Sequence, residues 1–135
     1  MKLLVTGAKG QLGWELMRHA AEGSFSVTGV DLPEVDLCED AQVAQTFEAA
    51  RPDLVINAAA YTNVDGAESE RALCYRVNEA VPRRLAVACR RAGIPLLVFE
   101  FDMFDPRVTS YEDVFFQVER FVNEIVYPRK QRRAG

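Results

Sequence analysis

The chain has 135 residues, a length that predicts one compact domain burying roughly 65–70% of the unfolded surface. Apolar residues make up 49% and charged residues 27%, which excludes disordered, collagen-like and disulfide-stapled classes. The net charge of −4 argues against general binding to nucleic acid or to an anionic membrane. No apolar stretch reaches the ~18 residues that cross a bilayer, and no signal-peptide pattern follows Met1, so we expect a cytoplasmic protein.

The cysteines and the basic end of the chain have ordinary interpretations. Cys38, Cys74 and Cys89 are too far apart for metal-ligand pairs and are odd in number, which favours small buried hydrophobic residues in a reducing compartment. We therefore predict no metal site. The basic run at residues 129–133 is interpreted as a solvated terminus.

Strand and helix patterns alternate along the chain. Short apolar runs closed by turn residues indicate strands, and apolar residues recurring every three or four positions indicate helices. Pro82 falls inside the longest helical region, where it predicts a kink or a restart. The predicted strands cover residues 3–5, 26–30, 53–57 and 96–99, and the predicted helices cover residues 11–22, 39–50 and about 67–92.

This alternation predicts the α/β class: a doubly wound parallel sheet with helices on both faces, in three α/β/α layers and a single domain over residues 1–135. Beyond residue 106 the pattern changes to an amphipathic helix that would cover the sheet or a homodimer interface. Its apolar positions are Val114, Phe115, Val118, Phe121, Val122 and Ile125.

Glycines spaced by three follow the first strand and open the first helix. Gly7 would allow a sharp turn, Gly10 a close backbone approach to a pyrophosphate, and Gly13 close helix packing. The helix N-terminus offers N–H donors and the positive end of its dipole to phosphates. A glycine triplet also makes ordinary turns, but its place between strand and helix favours a dinucleotide site. The predicted pyrophosphate contacts are Gly7, Ala8, Gly10, Gln11, Leu12 and Gly13.

Acidic residues follow the second strand. Asp31 comes 18 residues after Gly13, near the ~20 expected of a carboxylate that binds the adenosine ribose. Its charge would repel a 2′-phosphate, which favours NAD over NADP. The alternative is a turn-capping aspartate before Pro33. Asp36 and Leu37 are candidates for the adenine edge, although a turn explains the aspartate equally well.

The third strand ends in small residues, which would let a ligand lie across the strand tips. Close packing of a helix on the strand is the alternative explanation. We predict that the nicotinamide side is formed by Ala58, Ala59, Ala60 and Tyr61.

Two longer stretches carry a family pattern. Residues 56–70 read Ile-Asn-Ala-Ala-Ala-Tyr-Thr-Asn-Val-Asp-Gly-Ala-Glu-Ser-Glu and residues 77–80 read Val-Asn-Glu-Ala. With the glycine pattern, they resemble the extended short-chain dehydrogenase/reductases, and among these the dTDP-4-dehydrorhamnose reductase family, over about residues 1–98. The resemblance implies a Rossmann fold, bound NAD or NADP and a nucleotide-sugar partner. Members use either cofactor and are about twice this long, so the chain corresponds to the cofactor half.

The resemblance also implies a catalytic tyrosine that protonates the developing alkoxide, its pKa lowered by a lysine four residues later. Tyr127 and Lys130 are the candidate pair, with a spacing of three. The family's hydroxyl-bearing run corresponds to residues 99–105, where Glu100 stands in the place of the hydroxyl and opposes developing negative charge. The implied activity is reduction of a nucleotide-linked 4-keto sugar. The alternatives are a non-catalytic nucleotide-binding or regulatory module and a truncated remnant.

Overall fold

The computed structural model describes residues 1–23, 25–58, 79–98, 118, 120–126, 128 and 131–132. The chain separates into two compact units, Met1–Phe99 and Glu100–Gly135, which we describe separately. The described elements of the first unit are β1 (Lys2–Thr6), α1 (Gln11–Glu22), β2 (Ser26–Val30), α2 (Asp40–Ala50), β3 (Leu54–Asn57), α3 (Val81–Ala92) and β4 (Leu96–Val98).

These elements lie within one or two residues of the predicted ones, apart from the long third helix. Of that helix the structure describes α3 and the π-helical turn at Glu79 and Ala80 that precedes it. Pro82 lies in the first turn of α3, where a missing N–H costs no helical hydrogen bond, in agreement with the predicted restart. Gly93, with φ of 69°, ends the helix in the left-handed conformation.

The four strands form one parallel sheet in the order β2-β1-β3-β4. After β2 the chain crosses over β1 to form β3 on the other side, so the winding direction reverses between β1 and β3. In open parallel sheets, ligands bind beyond the carboxyl ends of the strands at such a reversal. Both strands are buried, which their continuous apolar runs predicted.

Helices cover both faces of the sheet. On one face, Leu4 and Val55 pack with Val43 of α2 and Leu85 of α3. On the other face lies α1. Val5 follows Leu4 in β1 and therefore points to the opposite face of the sheet. Gly29 of β2, which is paired in register with Val5, lies against Met17 of α1. The predicted three-layer, Rossmann-type fold is therefore confirmed.

The described cysteines behave as hydrophobic residues. Cys89, on the buried face of α3, lies in the core. Burial raises the pKa of its thiol to about 11, so the thiol is protonated at neutral pH. Cys38 is half-buried beside the same core. Cys74 lies outside the described residues.

The second unit is described only around its last helical segment. Val118 and Val122, four residues apart, are fully buried, and Arg120 pairs with Glu124 at 3.0 Å on the exposed side. This pattern agrees with the predicted amphipathic helix, which continues as a π-helical segment over Val122–Val126. Across the described parts of both units, no helix combines the length and apolar character needed to span a membrane.

Candidate functional site

The loop after β1 is shaped by its glycines. Gly7 has φ of 73°, a conformation that side chains disfavour, and its carbonyl accepts the N–H of Gly10 at 3.1 Å to close a tight turn. A Cβ at Gly13 would lie 2.1 Å from the Gly7 oxygen, so only glycine fits there. A Cβ at Gly10 would meet only that oxygen, at 3.4 Å, which is an ordinary contact. Gly13 is therefore required by packing, whereas Gly10 leaves one side of the loop open.

The first turn of α1 presents unused donors. Gly10 occupies the N-cap position, where no side chain accepts an N–H of the helix, and no acidic residue lies in the first turn. The first helical hydrogen bond runs from the N–H of Trp14 to the Gly10 carbonyl at 2.9 Å. The N–H groups ahead of it and the positive end of the helix dipole suit an anion.

Asp31 fastens this loop to the end of β2. Its Oδ2 accepts the backbone N–H of Lys9 at 2.9 Å, and its Oδ1 accepts the N–H of Leu32 at 2.8 Å. The N–H of Ala8 also donates to the Val30 carbonyl at 3.2 Å. Each carboxylate oxygen can accept a further hydrogen bond, so this structural role leaves capacity for a hydroxyl ligand.

Lys9, to which the sequence assigned no role, reaches across the same edge. Its ammonium donates to Glu34 Oε1 and Oε2 at 2.8 and 2.6 Å and to the Leu32 carbonyl at 3.0 Å. The hydrogen bond from Lys9 lowers the pKa of Glu34, so this exposed carboxyl carries its charge at neutral pH. The turn after β2 thus carries a cation at Leu32, the residue after Asp31, held by an exposed ion pair with Glu34.

Of the two predicted adenine contacts, Asp36 forms a turn and Leu37 packs in the core. Asp36 Oδ1 accepts the N–H of Cys38 at 2.9 Å, the side-chain turn that was the alternative for this residue. Leu37 is 7% exposed and its side chain belongs to the core. Only the backbone of Leu37 is left to meet an adenine.

A buried polar pair joins the ends of β1 and β3. The hydroxyl of Thr6 donates to Asn57 Oδ1 at 2.7 Å, and both side chains are buried. The N–H of Ala58 donates to the Thr6 carbonyl at 3.0 Å, so the residue after β3 stays aligned with the glycine loop. Leaving one member of such a pair unsatisfied costs about 1–3 kcal/mol. Ala59, Ala60 and Tyr61, and the pair Tyr127 and Lys130, lie outside the described residues.

Gly29 in β2 is, after Lys9, a second residue beside the site to which the sequence assigned no role. A Cβ there would lie 2.8 Å from both the Ala8 side chain and the Met17 methyl group, so this glycine lets α1 and its loop approach β2. A glycine inside a strand signals such an approach. No group of metal-ligating side chains occurs among the described residues.

Comparisons with known proteins agree with this geometry. The family model described as RmlD substrate binding domain matches residues 1–112. A dTDP-4-dehydrorhamnose reductase of Burkholderia thailandensis is 47% identical over 97 residues, covering 69% of this chain and 31% of the relative. One from Mycobacterium tuberculosis is 40% identical over 117 residues, covering 82% of this chain and 38% of the relative. The chain therefore spans about a third of the length of these curated relatives.

A solved structure shows the same fold. The dTDP-4-dehydrorhamnose reductase of Bacillus anthracis in complex with NADP superposes with a TM-score of 0.66 at 31% identity, covering 93% of this chain and 50% of that one. That cofactor lends no support to the NAD preference drawn from the charge of Asp31, which stays a prediction.

The two helix-opening glycines predict opposite responses to the same substitution. Gly13→Ala forces a Cβ onto the Gly7 carbonyl and is expected to destabilise the fold by about 1–3 kcal/mol, despite the better helix propensity of alanine. Gly10→Ala, the matched control, costs less than about 1 kcal/mol at an N-cap. Urea denaturation followed by circular dichroism measures both changes, and equal stabilities would contradict the packing role of Gly13.

Proposed function

The chain belongs to the RmlD substrate-binding domain family, and on that premise we propose that it binds an NAD(P)(H) dinucleotide at the carboxyl ends of β1, β2 and β3. The observation that carries the proposal is the uncapped N-terminus of α1 behind a loop whose Gly10 side is open. Both features lie beside the winding reversal of the sheet, where dinucleotides bind. The residues present therefore fit the cofactor.

Each part of the cofactor has a proposed partner. The pyrophosphate meets the backbone N–H groups at the start of α1, the ribose meets Asp31, and the adenine meets the turn at Asp36 and the backbone of Leu37. The nicotinamide side follows β3. The full proposed set is Gly7, Ala8, Gly10, Gln11, Leu12, Gly13, Asp31, Asp36, Leu37, Ala58, Ala59, Ala60 and Tyr61.

Cofactor binding is tested at Gly10, because a methyl group there occupies the open side of the loop without disturbing it. Gly10→Ala is expected to weaken NADH binding at least about tenfold, or about 1.4 kcal/mol. Trp14 is the only tryptophan and lies one helical turn away, so energy transfer from Trp14 to NADH gives the dissociation constant.

The control for that titration is Gly23→Ala at the other end of α1, where a Cβ meets nothing closer than 3.6 Å. This variant should bind NADH as the wild-type chain does. Equal affinities of all three proteins would reject the pyrophosphate position. Absence of saturable binding to the folded wild-type chain would leave the truncated-remnant alternative.

The same site accepts a cofactor with a 2′-phosphate. Asp31 directs both of its oxygens to backbone N–H groups, and the Lys9 ammonium contacts the carbonyl of Leu32, the next residue, supplying positive charge near the adenosine end. A basic side chain near this position is what accommodates the 2′-phosphate of NADP. A 2′-phosphate would compete with Glu34 for Lys9.

The competition between phosphate and carboxylate can be measured. Glu34→Gln releases Lys9 and is expected to raise the affinity for NADPH about threefold, with NADH changed little. Lys9→Met should lower the ratio of NADPH to NADH affinity. The matched control is Glu22→Gln, which removes an equally exposed carboxylate at the far end of α1. An identical response of NADPH and NADH to Glu34→Gln would exclude Lys9 from phosphate recognition.

The proposed reaction is the reduction of a nucleotide-linked 4-keto sugar. The bound nicotinamide supplies the hydride to the carbonyl carbon when the cofactor is present. The phenol of Tyr127 donates the proton to the carbonyl oxygen, and the ammonium of Lys130 lowers the pKa of that phenol. The support for this assignment is the resemblance of residues 127–130 to the family's tyrosine–lysine segment, with a spacing of three where the family has four.

The acid is tested by Tyr127→Phe, with Tyr111→Phe as the matched control because Tyr111 has Phe115, not lysine, four residues on. Loss of the proton donor should reduce turnover at least about 100-fold without changing the affinity for NADPH. NADPH absorbance in the presence of a 4-keto nucleotide sugar reports turnover. Full activity of Tyr127→Phe would reject the assignment.

A non-catalytic nucleotide-binding module is the second candidate. It is favoured by Glu100, which stands where the family carries a hydroxyl and where negative charge must develop. Saturable NADPH binding without turnover by the wild-type chain would select this module over the enzyme.

A further inference from the structure

A groove of about 690 Å³ separates α2 from α3 on the face of the first unit that points away from the sheet. Its floor is apolar. Val43 and Phe47, one turn apart, come from α2, and Val87 and Ala88 come from α3. Val87 is 45% exposed, one of the few large apolar side chains at the described surface. None of the residues that line the groove belongs to the set assigned to the dinucleotide.

The walls of the groove are basic. Arg83, Arg84 and Arg91 line it with Asp40 as the one carboxylate, and Asp40 is bound to Arg84 at 3.0 Å. Within the part of the chain that the structure describes, Arg83 and Arg91 have no carboxylate within 4 Å. The groove therefore carries positive charge on a chain whose net charge is −4.

The spacing of these charges limits what the groove can hold. Arg83, Val87 and Arg91 follow one line along α3 at intervals of four residues, so the two arginines are about 12 Å apart along the helix axis. An occupant must present two anionic groups two helical turns apart with apolar groups between them. A nucleotide or an inorganic anion concentrates its charge at one point, whereas an amphipathic helix with acidic residues two turns apart matches both features.

We propose that the groove between α2 and α3 binds an acidic amphipathic helix of a partner protein. The apolar side of the partner helix packs on Phe47 and Val87, and its carboxylates pair with Arg83 and Arg91 at the two ends. Outside this groove and the basic run at residues 129–133, acidic residues outnumber basic ones, so electrostatics favour the groove over most other surfaces for such a helix.

The probe is a fluorescein-labelled synthetic helix of about 16 residues, with leucines along one face and glutamates flanking them two turns apart. Its control replaces each glutamate with lysine and keeps the leucines. Fluorescence anisotropy is expected to show saturable binding of the glutamate peptide, weakened by salt, and binding of the lysine peptide at least about tenfold weaker.

Adjacent arginines on α3 provide the matched variants. Arg91 lines the groove and Arg90 does not, yet both lie in the last turn of the helix. Arg91→Glu should weaken binding of the glutamate peptide at least about tenfold, and Arg90→Glu less than about twofold. Circular dichroism of both variants establishes that they fold alike.

Four outcomes overturn the proposal. Equal effects of Arg90→Glu and Arg91→Glu would show general charge attraction. Equal binding of the two peptides, or no saturable binding, would exclude an acidic helix. A dimer in sedimentation velocity that Arg91→Glu dissociates would assign the groove to a second copy of this chain. Cofactor affinity, measured in parallel, is expected to be unchanged by both substitutions, which keeps this test independent of the proposed function.

Discussion

The close approach of α1 to the loop after β1 is the constraint on which the candidate site depends. The helix approaches the loop this closely only because Gly13 carries no Cβ, and it approaches β2 closely because Gly29 carries none. Placed this closely, the N-terminus of α1 points its free N–H groups over the reversal between β1 and β3. The packing of α1 on the sheet and the proposed affinity for an anion therefore have one common cause, which is the absence of a side chain at these glycines.

Polar contacts then fix the ends of the strands around that loop. The buried pair of Thr6 and Asn57 aligns β1 with β3, and the carboxylate of Asp31 ties the loop to β2. A site assembled from three strand ends needs such contacts, since each strand otherwise ends independently. They are short-range and well defined, in contrast to the exposed ion pair of Lys9 with Glu34, which a ligand can exchange.

Much of the fold could be predicted because its signals are local. Apolar runs buried on both faces mark β1 and β3, and the glycine triplet identifies the turn between strand and helix. What could not be predicted depends on pairs remote in sequence. Thr6 and Asn57 are 51 residues apart, and Lys9 and Glu34 are 25 apart, so no periodic pattern joins them.

Several predicted site residues also have structural roles, and Asp31 and Leu37 are two examples. From the sequence, Asp31 could contact the ribose or cap the turn before Pro33. In the structure its carboxylate accepts the N–H of Leu32, which is a turn contact, and the N–H of Lys9 in the loop. Leu37 was predicted from its position after the second strand, but its side chain belongs to the core. The residues that would carry out the reduction, Tyr127 and Lys130, remain assigned by their pattern alone.

The double attachment of Asp31 has a consequence for how cofactor preference can evolve in this chain. Exchanging the aspartate for a neutral residue would remove its charge from the proposed adenosine end, but it would also release the amides of Lys9 and Leu32 and loosen the turn proposed to hold the pyrophosphate. Selection for a different coenzyme would then act against the turn itself. The accessible route runs through the solvent-exposed neighbours, where a change at Glu34 removes only an exposed ion pair with Lys9.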